Sequence, residues 1–192
     1  MINKNKEKYL LKIPDNISIF YCNKKKIITF YGTKHQTSIK LKTKLIIYSN
    51  LKIIKVSCLP FSTISNKEKK NFKSMQGTMY ALIKQKLVET LSIFYQKLKF
   101  VGIGHRLIPL ESFEDKVILL KLGFSHFFYF KVPNNIKIFY KTRTLLSIIG
   151  NSYSFVTQLA SSIRVLKKPE PYKGKGILYE NEKIFLKIGK RV

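Results

Sequence analysis

The residues with most chemistry to offer lie together near the C-terminus, in Lys167-Lys168-Pro169-Glu170-Pro171-Tyr172-Lys173-Gly174-Lys175-Gly176-Ile177. Pro169 and Pro171 fix φ and drive the residues before them toward extended geometry. Gly174 and Gly176 carry no Cβ, so the backbone there can approach a partner closely, with its N–H groups open. Lys173 and Lys175 alternate with those glycines, and Lys167 and Lys168 flank them. Point charges on a closely approaching backbone suit a row of phosphates. No Gly-Lys-Ser/Thr follows at the spacing of a nucleotide-binding P-loop. Taken alone, such a loop is more often a solvated basic turn after a helix, and the rest of the chain has to decide.

Other chemistries find little support. No Ser/His/Asp or Cys/His set stands at a useful spacing, and general acid–base work needs titratable groups gathered in a pocket. His35, His105 and His126 are scattered, and Cys22 and Cys58 share no close spacing. Neither set suggests a metal site or a disulfide, so two reduced, buried thiols are expected. Gly102-Ile103-Gly104 after a strand lacks the third glycine and the helix of a dinucleotide fingerprint, and reads as a bulge or a close backbone approach. No catalytic residue, metal or cofactor is assigned.

Charge narrows the partner. The 192 residues hold 37 Lys+Arg against 10 Asp+Glu, a net charge of +27. Such self-repulsion opposes a compact chain unless a polyanion neutralises it. Nucleic acid is the first candidate, and an anionic membrane surface the second. No apolar run reaches the length of a membrane span: Val117 to Leu120 and Phe127 to Phe130 are strand-length. Arg106, Arg143, Arg164 and Arg191 are the only arginines, while Ile, Asn, Phe and Tyr abound. Phosphate binding does not demand Lys over Arg, so the bias reflects A/T-rich codons. Met1 to Lys8 is neither a signal peptide nor an Arg/Ser-rich transit peptide. Synthesis inside an organelle with an A/T-rich genome fits, and so does an A/T-rich bacterium.

The elements that must position the loop come in two sets. Ile13-Pro14-Asp15-Asn16-Ile17-Ser18-Ile19-Phe20-Tyr21 recurs 119 positions later as Val132-Pro133-Asn134-Asn135-Ile136-Lys137-Ile138-Phe139-Tyr140. Upstream, Tyr9 to Lys12 matches Phe128 to Lys131. Downstream, Ile27 to Gly32 matches Leu145 to Gly150, with one residue dropped in the hairpin turn. Pro-Asx-Asn marks a turn, and the Ile-x-Ile-x-Tyr type of run after it has strand period two. The fold class expected is α+β, with two tandem, related domains over 1–96 and 97–192, each of antiparallel strands packed with one helix. Neither acid occurs from Asn16 to Lys67 or from Lys116 to Pro169, which gives each copy a basic window. In the first copy, Ile39 to Cys58 gives two more strands, and Asn66 is placed to cap a helix. Its core stripe is Phe72, Met75, Met79, Leu82, Ile83, Leu87, Leu91 and Phe94. Gly77 inside it marks a frayed or late start, and Lys84, Lys86 and Lys97 take the exposed side. In the second copy, strands are expected over Leu98–Leu107, Val117–Phe124 and His126–Val132. The repeat hairpin follows, and then a helix capped by Asn151 or Ser152, with core residues Phe155, Val156, Leu159, Ala160, Ile163 and Leu166. A final strand pair, Ile177–Tyr179 and Lys183–Ile188, leads to the basic tail Lys190-Arg191.

Pro169 to Ile177, followed by Tyr179-Glu180, resembles the signature of the bacterial-type large-subunit ribosomal protein six family. The likeness runs from Tyr9 to Lys190. It takes in the opening hairpin from Ile13-Pro14, Gly77-Thr78 with Ala81-Leu82, Val101-Gly102-Ile103-Gly104 with Arg106, and Leu122-Gly123-Phe124-Ser125-His126. The resemblance implies two related α+β domains without catalytic activity. It implies binding to large-subunit ribosomal RNA, mostly through the second domain, near the sarcin-ricin loop where translation factors dock. Neighbouring large-subunit proteins are the other partners, and no membrane insertion is implied. Carried onto this chain, the RNA-binding residues are Lys167, Lys168, Tyr172, Lys173, Gly174, Lys175, Gly176, Lys190 and Arg191. Tyr172 either stacks on the RNA or packs the loop. Leu178 and Ile184-Phe185-Leu186 stand where the family is usually more basic, and His105 where Tyr is common; Phe185 and Leu186 face either a protein partner or the core. The location implied is a mitochondrial matrix ribosome, with plastid and A/T-rich bacterial cytoplasm as alternatives. A processing enzyme would show clustered acids for metal ions. A membrane-surface protein would need the 72–97 helix to spend its apolar face on lipid. A free RNA chaperone would leave ribosomes alone.

Overall fold

The computed structural model describes residues 9–61, 68–110 and 117–189, with the side chains of 68–70 excepted. The fold is α+β, and the chain divides into two compact units, Met1–Ser92 and Ile93–Val192. The first holds β1 (Leu10–Lys12), β2 (Ser18–Cys22), β3 (Ile27–Tyr31), β4 (Gln36–Lys40), β5 (Thr43–Tyr48), β6 (Ile53–Pro60) and α1 (Glu68–Leu91). The second holds β7 (Phe94–Val101), β8 (Arg106–Leu110), β9 (Val117–Lys121), β10 (Phe128–Lys131), β11 (Ile136–Thr142), β12 (Leu145–Gly150), α2 (Tyr153–Leu166) and β13 (Gly176–Tyr179). Among the described residues no helix is long and apolar enough to cross a membrane.

The recurring sequence folds the same way twice. Pro14 accepts a hydrogen bond from the Ile17 amide at 3.2 Å, and Pro133 accepts one from Ile136 at 3.1 Å. The hairpins then share their register. Ser18 opposite Tyr31, Ile19 opposite Phe30 and Tyr21 opposite Ile28 answer to Lys137 opposite Ile149, Ile138 opposite Ile148 and Tyr140 opposite Leu146. The odd residue is taken up by an irregularity between Tyr140 and Thr142. Period two sends Ile28 and Phe30, and equally Leu146 and Ile148, fully inward. Each hairpin ends at a glycine that touches helical residues. A Cβ on Gly32 would lie 2.7 Å from the Thr90 carbonyl oxygen, and one on Gly150 2.8 Å from Val156 Cγ2.

The likeness extends to the sheets, with a changed chain order. Unit 1 has antiparallel sheets β2-β3-β4 and β1-β6-β5, and unit 2 has β11-β12-β7-β13 and β10-β9-β8. Matching the hairpins pairs β4 with β7, β5 with β8 and β6 with β9. The second unit therefore runs through the same positions from a different starting strand, and β13 has no counterpart among the described residues. This explains why only the hairpin and its preceding strand were recognisable as a repeat. It also corrects the single strand expected over Leu98–Leu107: β7 and β8 belong to different sheets, and the turn from Gly102 to His105 carries the chain across.

In unit 1, α1 packs on β6 and β4 and buries Met79, Ile83 and Leu87 against Ile28, Phe30, Ile54 and Val56. The helix runs straight through Gly77. Leu82 is exposed, since it stands a third of a turn away from the buried row, and Phe94 belongs to β7. Lys86 turns inward to the fully buried Glu89, with Nζ 2.6 Å from Oε2. Asn66 lies outside the described residues. The expected buried thiols are corrected too: Cys22 ends β2 on its outward phase and is exposed, and Cys58 is half-buried.

In unit 2, α2 starts from Ser152 and buries Val156, Leu159, Ala160 and Ile163 on β7 and β12, while Phe155 points to solvent. The second strand of the expected final pair is absent. After β13 the chain turns, with the Glu182 amide bonded to the Tyr179 carbonyl at 3.0 Å. The Glu182 carboxylate accepts from the Arg164 guanidinium of α2 through both oxygens, and from the Tyr179 amide at 3.1 Å. That capture takes the chain away from β13, and residues 183–188 have no regular structure.

Three substitutions test this packing. Gly32→Ala presses a methyl against backbone that cannot swing aside and costs about 1–3 kcal/mol. Gly77→Ala adds its methyl to open space inside a helix and gains up to about 1 kcal/mol. Thermal denaturation of the full chain checks both, with the melting of unit 1 falling in the first and rising in the second. The Arg164 guanidinium, followed by the Tyr179 amide, holds Glu182 below the ordinary carboxylate pKa. Its stabilisation is therefore complete above the unfolded carboxylate range and is lost as pH falls through the lowered folded value. Glu182→Gln should lower the Tm of unit 2 at neutral pH and flatten its acid limb in a series of melts against pH.

Candidate nucleic-acid interface

α2 delivers the chain directly into the basic loop, and β13 takes it out again. Three backbone hydrogen bonds close the loop. The Ile177 amide donates to the Lys167 carbonyl at 2.9 Å, Glu170 to Lys175 at 2.9 Å, and Gly174 to Glu170 at 2.9 Å. A fourth, from the Lys187 amide to the Pro171 carbonyl at 3.0 Å, ties on the C-terminal segment. The expectation of open amides is corrected at these positions: the N–H groups of Glu170, Gly174 and Ile177 are spent inside the protein. The two glycines likewise serve the loop itself. Gly174 sits at φ +66, in the left-handed region, with Leu186 and Ile184 against it. Gly176, at φ +146, lies under its own chain, so that a Cβ would meet the Pro169 Cα at 2.7 Å and the Lys168 carbonyl oxygen at 2.8 Å.

With the backbone occupied, the side chains face outward. Lys168 and Lys173 are exposed, Lys167 and Lys175 are half-buried, and Tyr172 stands exposed on the turn. Lys167, Lys168 and Lys175 converge, together with Glu170, on a pocket of about 520 Å³. Its other wall is Ile103, His105, Leu122 and Gly123. Tyr172 and Lys173 do not line it. Lys190 and Arg191 lie outside the described residues. Leu178 is turned inward and buried on β13, which accounts for an apolar residue there. Phe185 is 93% exposed, which removes it from the core.

Three features were missed in the sequence. His105 is buried between Gly102 and Gly123, where a Cβ on either would approach the imidazole to 2.8 and 3.2 Å. Its Nδ1 has no hydrogen-bond partner among the described residues. Burial, and then the Lys167 ammonium, push its pKa below the ordinary histidine value. The β9–β10 hairpin carries Phe124, stacked on His126 at 5.7 Å and edge-on to Phe128 at 5.5 Å. Lys167 Nζ lies 4.1 Å over the Phe124 ring, joining the hairpin to the basic loop. The signal available was the run Phe124-Ser125-His126-Phe127-Phe128 beside Lys121, aromatics interleaved with cations. The arrangement can hold an anion and present an aromatic face beside it.

No family model matches the chain. It is 35% identical over 192 residues to the large ribosomal subunit protein uL6m of Prototheca wickerhamii, covering 95% of each chain. It is 34% identical over 181 residues to the large ribosomal subunit protein uL6 of Mycoplasmoides gallisepticum, covering 94% of this chain and 93% of that one. With uL6m of Reclinomonas americana it shares 34% over 182 residues, covering 94% and 95%. Likeness at this level over nearly the whole length, in a chain built of two related α+β units, places it: the protein belongs to the uL6 family of large ribosomal subunit proteins.

Proposed function

We propose that the chain is a structural constituent of the large ribosomal subunit. It binds large-subunit ribosomal RNA through the basic loop of its second unit, near the sarcin-ricin loop and the region where translation factors dock. The observation that carries the reading is the convergence of Lys167, Lys168 and Lys175 on one pocket at the base of a closed, rigid loop. Lys173, exposed on the same loop, adds a phosphate contact, and Lys190 and Arg191 of the basic tail are assigned to phosphates from the sequence. Gly174 and Gly176 hold the loop in shape, and Tyr172 offers its ring to a base or sugar. The protein acts by neutralising and positioning RNA, and no catalytic step is assigned to it. Neighbouring ribosomal proteins are its other partners, and the exposed Phe185 and Leu186 are suited to them.

The ribosome concerned is that of a mitochondrion, in the matrix. Two relatives are mitochondrial forms, uL6m, and the A/T-rich residue usage agrees. The Mycoplasmoides relative, at nearly the same identity, supports the bacterial cytoplasm as the second reading.

Salt dependence of binding tests the interface. Each phosphate contact contributes about 0.7–0.9 to the slope of log K against log salt. Full-length protein carrying Lys168→Gln, Lys173→Gln and Lys175→Gln should lose about that much slope per residue against a large-subunit RNA fragment, with its thermal melt unchanged. Gly176→Ala keeps every charge and displaces the loop, so it should weaken binding as well. An unchanged slope in the triple variant would remove the loop from the interface.

A further inference from the structure

The pocket beside the basic loop is built for more than a phosphate. One rim is cationic, from Lys167, Lys168 and Lys175, with the exposed carboxylate of Glu170 among them. The opposite rim is apolar: Ile103 is exposed on the Gly102–His105 turn, and Phe124 follows directly on Gly123. Phe124 has His126 stacked against it and Phe128 edge-on, yet remains 38% exposed. The flexible ammonium of Lys167 lies 4.1 Å over the ring. A duplex presents phosphates outward and keeps its bases stacked within, so it has no use for an aromatic rim. A single-stranded or looped RNA offers both groups at once, an anion and an unpaired base.

We propose that this pocket and the Phe124 ring together hold one unstacked RNA nucleotide. Its phosphate lies among Lys168 and Lys175, and its base covers Phe124. The proposal rests on the RNA-binding reading above and gives it a ligand class, an unpaired nucleotide. The volume of about 520 Å³ lies within the range of roughly 300–1,000 Å³ usual for small-ligand sites. Lys167 has two positions to choose between. Over Phe124 it gains the ring's negative face; with a phosphate in the pocket it gains a full charge, leaves the ring and bares it to the base. Gly123, at φ +74, and the clamped His105 fix the wall between the two halves of the site. Glu170 is placed to accept from an exocyclic amino group and repels a phosphate set on its side of the pocket.

The test uses the full chain and three probes: a single-stranded RNA with one 2-aminopurine, a hairpin with 2-aminopurine in its loop, and an uninterrupted duplex. Stacking on Phe124 should quench the fluorophore in the first two. Phe124→Leu keeps an apolar side chain against Phe128. It should lower single-strand and loop affinity about tenfold, abolish the quench and leave duplex affinity within about twofold. Phe124→Tyr should restore both. Lys168→Gln should weaken all three complexes. If Phe124→Leu leaves affinity and quenching unchanged, or the wild type binds the duplex alone, the nucleotide site is wrong while the RNA-binding reading stands. If the wild type binds none of the probes nor a large-subunit RNA fragment, the RNA-binding reading itself fails.

Discussion

Gly176 is pressed against the backbone of Lys168 and Pro169, and the candidate site depends on that contact. The loop crosses over itself there with no room for a side chain. That crossing lets Ile177 bond back to Lys167, so the loop leaves and returns at one point between α2 and β13. β13 in turn is seated on β7 through Gly176 opposite Val101 and Tyr179 opposite Leu98. The lysines thus stand on a frame fixed at both ends. Like charges in so short a span would otherwise spread apart, and the convergence of Lys167, Lys168 and Lys175 on one pocket would be lost.

The duplicated architecture explains why the site lies in one unit. Both units share the hairpin, its register, the glycine at its end and the pair of sheets. They differ in where the chain enters the pattern. In unit 2 the helix follows the hairpin directly, which leaves the chain free to return along β7 as an added strand. That added strand is the footing of the basic loop. Unit 1 reaches its helix only after β6 and shows no equivalent return among the described residues.

Much of this was legible in the sequence, for definite reasons. The hairpins were readable because Pro, Asx and Gly punctuate strands of strict period two, and those signals are local. α2 was readable because most of its apolar residues keep one face, with Tyr153, Phe155 and Val165 exposed. The permuted order of strands was not, since β5, β6, β8 and β9 share alternation with any buried strand and carry no residues that identify their partners. The failure at Lys183–Ile188 has a similar cause. Its apolar run resembles a strand, and the capture of Glu182 by Arg164 and the Tyr179 amide, with the Lys187 amide tied to Pro171, takes it off the sheet. At the site, the charges were visible and their scaffold was not. The amides judged open are used by the loop itself, and the glycines read as room for a partner are room for the protein's own chain. The aromatic hairpin escaped notice because its importance comes from Lys167, 43 positions away in sequence and 4.1 Å away in space.

A chain of net charge +27 that carries its cations on two folded units is a chain made to be neutralised. The most direct test of the ribosomal account is sedimentation of a native lysate at low and at high salt, following this protein. The account predicts that it travels with the large ribosomal subunit at low salt and is released only at high salt. Recovery near the top of the gradient at low salt would contradict it.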